Sequence, residues 1–112
     1  MSDLSDPSIP LSKLQPQADG GYVLPAGITD QLALAALLTY TLRQAADVAA
    51  APGEIELVSI AIDATGSAEG GEIAFSAQID RQTRTLIFLS GDARENGAPR
   101  LRGTAIFRVR GR

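Results

Sequence analysis

The stretch GITDQLALAALLTYTLRQAADVAAAPG, residues 27 to 53, limits the fold more than any other part of the chain. Thr29 or Asp30 offers a side-chain acceptor to the first free amides, alanine and leucine fill the interior, and Pro52-Gly53 supplies a stop, so the spacing predicts one helix over about 29–50. From Leu32 to Leu38 the residues are apolar on every side, and Arg43, Gln44 and Asp47 decorate only the later turns. A helix apolar all round must be buried over most of its circumference. The rest of a single small domain therefore has to wrap around it.

Four strand-like runs follow. Residues 54–65 put Val58, Ile60 and Ile62 on one face by period two, and residues 72–80 do the same with Ile73, Phe75, Ala77 and Ile79. Residues 84–94 are apolar on both faces in their middle, whereas 101–110 alternate Ala105, Phe107 and Val109 with Thr104, Ile106, Arg108 and Arg110. Asn96-Gly97 tolerates positive φ at both positions and predicts a tight hairpin between the last two runs. Ahead of the helix, GYVLP at 21–25 reads as a short strand stopped by Pro25. Residues 1–20, rich in Ser, Asp and Pro without a period, read as a flexible arm, leaving 21–112 as one domain. The expected class is α+β, a long central helix wrapped by a curved antiparallel sheet. The strand apolar on both faces implies that the outer side of the sheet is covered too, by a second copy, and so predicts a homodimer.

Composition excludes more chemistry than it admits. The 112 residues contain neither cysteine nor histidine, which removes disulfides, thiolate nucleophiles, imidazole bases and the usual zinc ligand sets. Aromatic residues make up 4% of the chain, too few for a surface that stacks bases. Residues 1 to 56 carry two basic and seven acidic side chains, and residues 57 to 112 carry eight and six. That mild bias suits a phosphate-bearing small ligand but not the basic footprint of a nucleic-acid binder. No apolar leader follows a basic stretch and no run approaches a bilayer span, so no membrane association and a cytoplasmic location are expected.

The segments LVSIAIDATGSAEGGEIAFSAQI and RTLIFLSGDARENGAPRLRGTAIFRV, in that order behind the helix, resemble the hotdog-fold acyl-CoA thioesterases of the phenylacetate-degradation type over roughly residues 27 to 110. The resemblance implies the hotdog fold, an acyl-CoA-like thioester as substrate, no cofactor, and a homodimer or dimer of dimers. It also exposes two departures. That family usually opens its helix with His-Gly-Gly and carries a carboxylate about two turns into it. Here the stretch reads PAGITDQLALAALLTYT, with no histidine and no acid between Leu32 and Ala46. A hotdog domain that has lost catalysis and binds an acyl ligand, or serves in assembly, is therefore the second reading. A cystatin-like helix on one open sheet face is the rival fold, and the all-round apolarity of 32–38 argues against it.

Within that frame Asp30 is the candidate general base, with amides near Gly27, Ile28 and Thr29 holding the thioester oxyanion. Its structural alternative is a first-turn carboxylate that complements the helix dipole. Thr39 and Thr41 sit where the family keeps its acid, with Thr39 the candidate substrate contact, although buried helix threonines ordinarily bond the carbonyl one turn back. Asp63 lies beside the glycine-rich loop that would line the cleft, and otherwise is a solvated loop acid. Arg102 is the candidate for coenzyme A phosphates, and with Arg108 and Arg110 it equally fits the wet face of a last strand.

Overall fold

The computed structural model describes residues 10–111. Its one α-helix, α1, spans Gln31–Ala50, within two residues of the expected start. Asp30 is the N-cap, its carboxylate accepting the Ala33 N–H at 3.3 Å. The other end closes at Ala51, which the following Pro52 keeps out of the helical region, and the Gly53 N–H donates to the Ala50 carbonyl at 2.8 Å.

Six antiparallel strands form one sheet in the order β1-β2-β4-β5-β6-β3, with β1 at Gln15–Pro16, β2 at Tyr22–Leu24, β3 at Glu54–Ala64, β4 at Ile73–Gln82, β5 at Leu86–Glu95 and β6 at Ala98–Arg110. The hairpin between β5 and β6 turns at Asn96 and Gly97, both at positive φ, as the sequence predicts. The expected α+β architecture, a long helix against a curved antiparallel sheet, is what forms. β1 is an addition to it. Leu11 and Leu14 pack against the core, and Gln15–Pro16 pair with Tyr22 and Val23. Residues 1–9 of the expected arm lie outside the described residues.

The core is one face of α1 on one face of the sheet. Leu34, Leu37, Leu38 and Leu42 meet Phe75, Ile87, Leu89, Ala105 and Phe107, and all are buried. Each such leucine contributes about 1.5–3 kcal/mol by leaving water. Leu38 and Leu42 of the helix pack over a row running across the strands, Ile62–Gly103–Gly91–Ala77, whose last three residues are small. A Cβ at Gly103 would stand 3.3 Å from the Leu38 side chain, and one at Gly91 would stand 2.5 Å from the Ser76 carbonyl oxygen and 3.1 Å from Leu42.

Two expectations are corrected. Val58 does not share a face with Ile60 and Ile62. The pairing with β6 shifts between Leu57 and Ser59, so Leu57 joins Ile60 and Ile62 on the inner side, and Val58 is the extra residue of a bulge. A strict period of two cannot register that extra residue. Second, the chain's own sheet does not enclose the front of the helix. A single sheet reaches one side of it, leaving Leu32 81% exposed and Ala35 and Ala36 half-buried. As expected, the run 84–94 is apolar on both faces in its middle, at Leu86 and Phe88 outside and Ile87 and Leu89 inside. Leu86 and Phe88 are half-buried, with the Arg81 guanidinium 5.8 Å above the Phe88 ring, while Ser90, Asp92 and Arg94 continue that face as polar residues.

The two glycines of the small-residue row differ in what a methyl group would strike. Gly91→Ala meets backbone and should cost about 1–3 kcal/mol. Gly103→Ala meets side-chain ends and should cost less. Urea unfolding of the two variants orders them; equal costs would mean that the Ser76 carbonyl does not crowd Gly91 as described.

Candidate functional site

The sheet divides the sequence-selected residues into two places. At one end of α1, Gly27, Ile28, Thr29 and Asp30 form the entry to the helix. The N–H groups of Ile28, Thr29, Asp30, Gln31 and Leu32 find no acceptor among the described residues, giving five consecutive free donors where the helix dipole is positive. Asp30 sits among them, with one carboxylate oxygen engaged by the Ala33 N–H and the residue exposed. This cluster is what an anionic or oxyanionic group would meet.

Thr39 and Thr41 are not aimed at it. Thr39 Oγ1 donates to the Ala35 carbonyl and Thr41 Oγ1 to the Leu37 carbonyl, both at 2.9 Å, one turn back within α1. Thr41 is buried, while Thr39 stays half-buried on the open side of the helix.

Asp63 and Arg102 lie on the other face of the sheet. They are partners across β3 and β6, and the row continues to Asp92 and Ser76. Their neighbours Ile62 and Gly103 turn inward toward Leu38, so Asp63 and Arg102 point outward. Arg102, Ser76, Gln78, Ser90 and Asp92 line a depression of about 410 Å³ there. Ser76 Oγ donates to Asp92 at 2.9 Å, Ser90 Oγ donates to Asp80 at 3.0 Å, and Arg94 Nε donates to the second Asp92 oxygen at 2.9 Å. Arg102 makes no ion pair with a described carboxylate, so its guanidinium stands unpaired on that face. Arg108 and Arg110 are engaged by Glu56 at 3.2 and 2.9 Å, the wet-face role that the sequence allowed.

Sequence reasoning missed Glu95. It follows Ile87, Leu89, Gly91 and Ala93 on the inward phase of β5 and is only 2% exposed. Its carboxylate accepts the Glu69 N–H at 2.9 Å, the Gly71 N–H in a short hydrogen bond, and Arg100 Nε at 2.9 Å. The signal was present: an acid in a core-phase position must find donors, and an arginine stands five residues on, across the hairpin. Two of its three donors come from the loop over residues 65–72, whose Gly70 carbonyl accepts the Gly27 N–H at 2.9 Å. The loop of Glu95 thus touches the entry to the helix. Among the described residues no group of three or more His, Cys, Asp or Glu side chains could hold a metal ion, and no helix is long and apolar enough to cross a membrane.

The Glu69 N–H, then the Gly71 N–H, and beyond them Arg100 hold the Glu95 carboxyl below its ordinary 4.5, against the opposing effect of burial. A carboxyl more acidic in the folded chain than in the unfolded one stabilises the fold above the unfolded value. That contribution is lost as pH falls from the unfolded value through the folded one. Urea midpoints measured from pH 6 to pH 3 should fall less steeply for Glu95→Gln than for the wild type, since the variant lacks this proton uptake. Parallel curves would show that Glu95 does not titrate with unfolding.

No protein-family model matches the sequence, and no curated protein does. Solved structures do. A thioesterase from Haemophilus influenzae superposes with a TM-score of 0.79 at 13% identity, over 95% of this chain and 84% of that one. A Bacillus halodurans protein crystallised with CoA superposes with a TM-score of 0.75 at 19% identity, over 88% and 72%. A putative thioesterase from Ralstonia eutropha, related to phenylacetic acid degradation, gives 0.72 at 13% identity, over 92% and 90%. Taken with one long helix lying on six strands in the order β1-β2-β4-β5-β6-β3, these likenesses show that the chain has the hotdog fold.

Proposed function

We propose that the chain binds a coenzyme A-type thioester at the entry to α1 and hydrolyses it with Asp30 as general base. The observation that carries this reading is the row of free amides from Ile28 to Leu32 beside an exposed carboxylate, in a fold shared with proteins described as thioesterases and with one solved with CoA. In this scheme the thioester carbonyl oxygen lies against the free amides. Asp30 takes a proton from water, and the resulting hydroxide attacks the carbonyl carbon. The amides stabilise the oxyanion, the carbon–sulfur bond breaks, and the leaving thiolate recovers the proton. Gly27, Ile28 and Thr29 shape the oxyanion pocket, and the open side of the helix at Thr39 lies along the acyl chain.

A homodimer belongs to the same reading. β3 pairs with β6 on one side only, so one edge of an eleven-residue strand has no partner among the described residues. Leu57 and Val58 on it are 52% and 47% exposed. Pairing of β3 with its copy would cover this edge. Asp63 and Arg102 face away from the helix entry, and they reach a ligand only through further protomers stacked on the outer face, as in a dimer of dimers.

The second reading, a domain that binds the thioester without turning it over, is favoured by one observation. Inside α1 both threonines at the family's acid position have their hydroxyl protons committed to main-chain carbonyls, and no carboxylate replaces them.

Two variants separate base from cap. Asp30→Asn retains a capping acceptor and should leave stability nearly unchanged, whereas Asp30→Ala should cost about 0.5–2 kcal/mol. With a panel of acyl-CoAs, both should lower kcat by on the order of 10²–10⁴-fold. Wild-type rates in Asp30→Asn would reduce Asp30 to a cap, and no hydrolysis by the wild type together with CoA binding would establish the second reading.

The assembly is tested by mass. Sedimentation should give twice the 11.7 kDa chain mass for the wild type and the chain mass itself for Val58→Asp. A wild-type monomer at micromolar concentration removes the dimer.

A further inference from the structure

Between Pro25 and Thr29 the chain makes one main-chain hydrogen bond to described residues, from the Gly27 N–H to the Gly70 carbonyl. Gly27 lies at φ +121 with open space where a side chain would stand, and the first side chain after it that anchors the segment is Ile28, which packs against the core. The direction of the amides that follow is therefore set from two sides, by the packing of Ile28 and by where Gly70 is held.

Gly70 belongs to a loop without strand pairing of its own, and the hairpin of β5 and β6 clamps that loop at both ends. At its start the Arg100 carbonyl accepts the Thr65 N–H at 2.9 Å and the Gly66 N–H at 3.3 Å. At its end the Glu95 carboxylate accepts the amides of Glu69 and Gly71, which flank Gly70. Arg100 Nε closes the clamp on Glu95, while the exposed Glu69 carboxylate stands 4.0 Å from Arg100 Nη2. Glu95 otherwise occupies an apolar row, opposite Ile73, which is opposite Leu24. A charge in such a row is costly unless donors surround it. Two of its three donors are loop amides, so the carboxylate acts on the loop as a pairing strand would.

We propose that Glu95 is a positioning residue for the ligand site: through the amides of Glu69 and Gly71 it fixes the Gly70 carbonyl, and through the Gly27 N–H it sets how the free amides at the entry to α1 are presented. The inference rests on reading those amides as the thioester site. Glu95 touches no substrate in this arrangement. It acts through the loop.

The test uses the full-length protein labelled with ¹⁵N, as wild type, Glu95→Gln and Gly71→Ala. The second variant presses a methyl group to within 2.6 Å of a Glu95 carboxylate oxygen and so disturbs the same contact while leaving the charge in place. In both, the Gly27 amide should shift and exchange with solvent faster, on the order of tenfold, while amides of Leu42 and Phe107 keep their protection. The Kd for CoA should rise by on the order of tenfold or more in step with the Gly27 change. An unmoved Gly27 amide in both variants, with the Glu69 and Gly71 amides released, overturns the proposal, because the loop would then be held without passing anything on. If Glu95→Gln does not fold, Gly71→Ala alone decides by the same criterion. A responsive Gly27 amide in a wild-type protein that binds no CoA removes the thioester reading and leaves the tether standing.

Discussion

The fold depends on how near α1 can come to the sheet. Leu38 and Leu42 descend onto Gly91 and Gly103, where a methyl group on either glycine would already crowd a neighbour. That approach lets the inward residues of four strands close around one helix and keeps Ile87, Leu89, Ala105 and Phe107 from water. It also sets where the helix begins. With its middle pinned, its first turn lies at the end where β3 passes into the 65–72 loop, and there the free amides gather.

Much of this was legible from residue order. Leucines and alanines between a capping acid and Pro-Gly gave the helix, and Asn96-Gly97 gave the hairpin, because each signal is local and acts within a few residues. The bulge at Val58 was not legible, since the extra residue is as apolar as its neighbours and only the facing strand reveals the shift. Burial of the helix was overestimated for a related reason. Apolarity at Leu32 records what the surface requires but not whether the cover comes from the same chain.

The candidate site was legible in part. Asp30 and the amides beside it are a property of one helix end, so the sequence located them, and the threonines follow the back-bonding that their helical position predicts. Asp63 was grouped with them by nearness to the glycine-rich loop and Arg102 by the fit of arginine to phosphate, although alternation along a strand sends both to the opposite side of the sheet. Glu95 and its loop are joined across 24 and 26 residues of chain, a relation that no local pattern carries.

The two borders of the sheet are unlike. One is the long β3, with its outward amides and carbonyls available along its length. The other is the two-residue β1, which ends in a proline that has no N–H to offer. A body with one adhesive border and one blunt border cannot add copies in a line. Joining along β3 consumes the adhesive border of both members at once, so growth by this route stops at a pair and fibres have no template to extend.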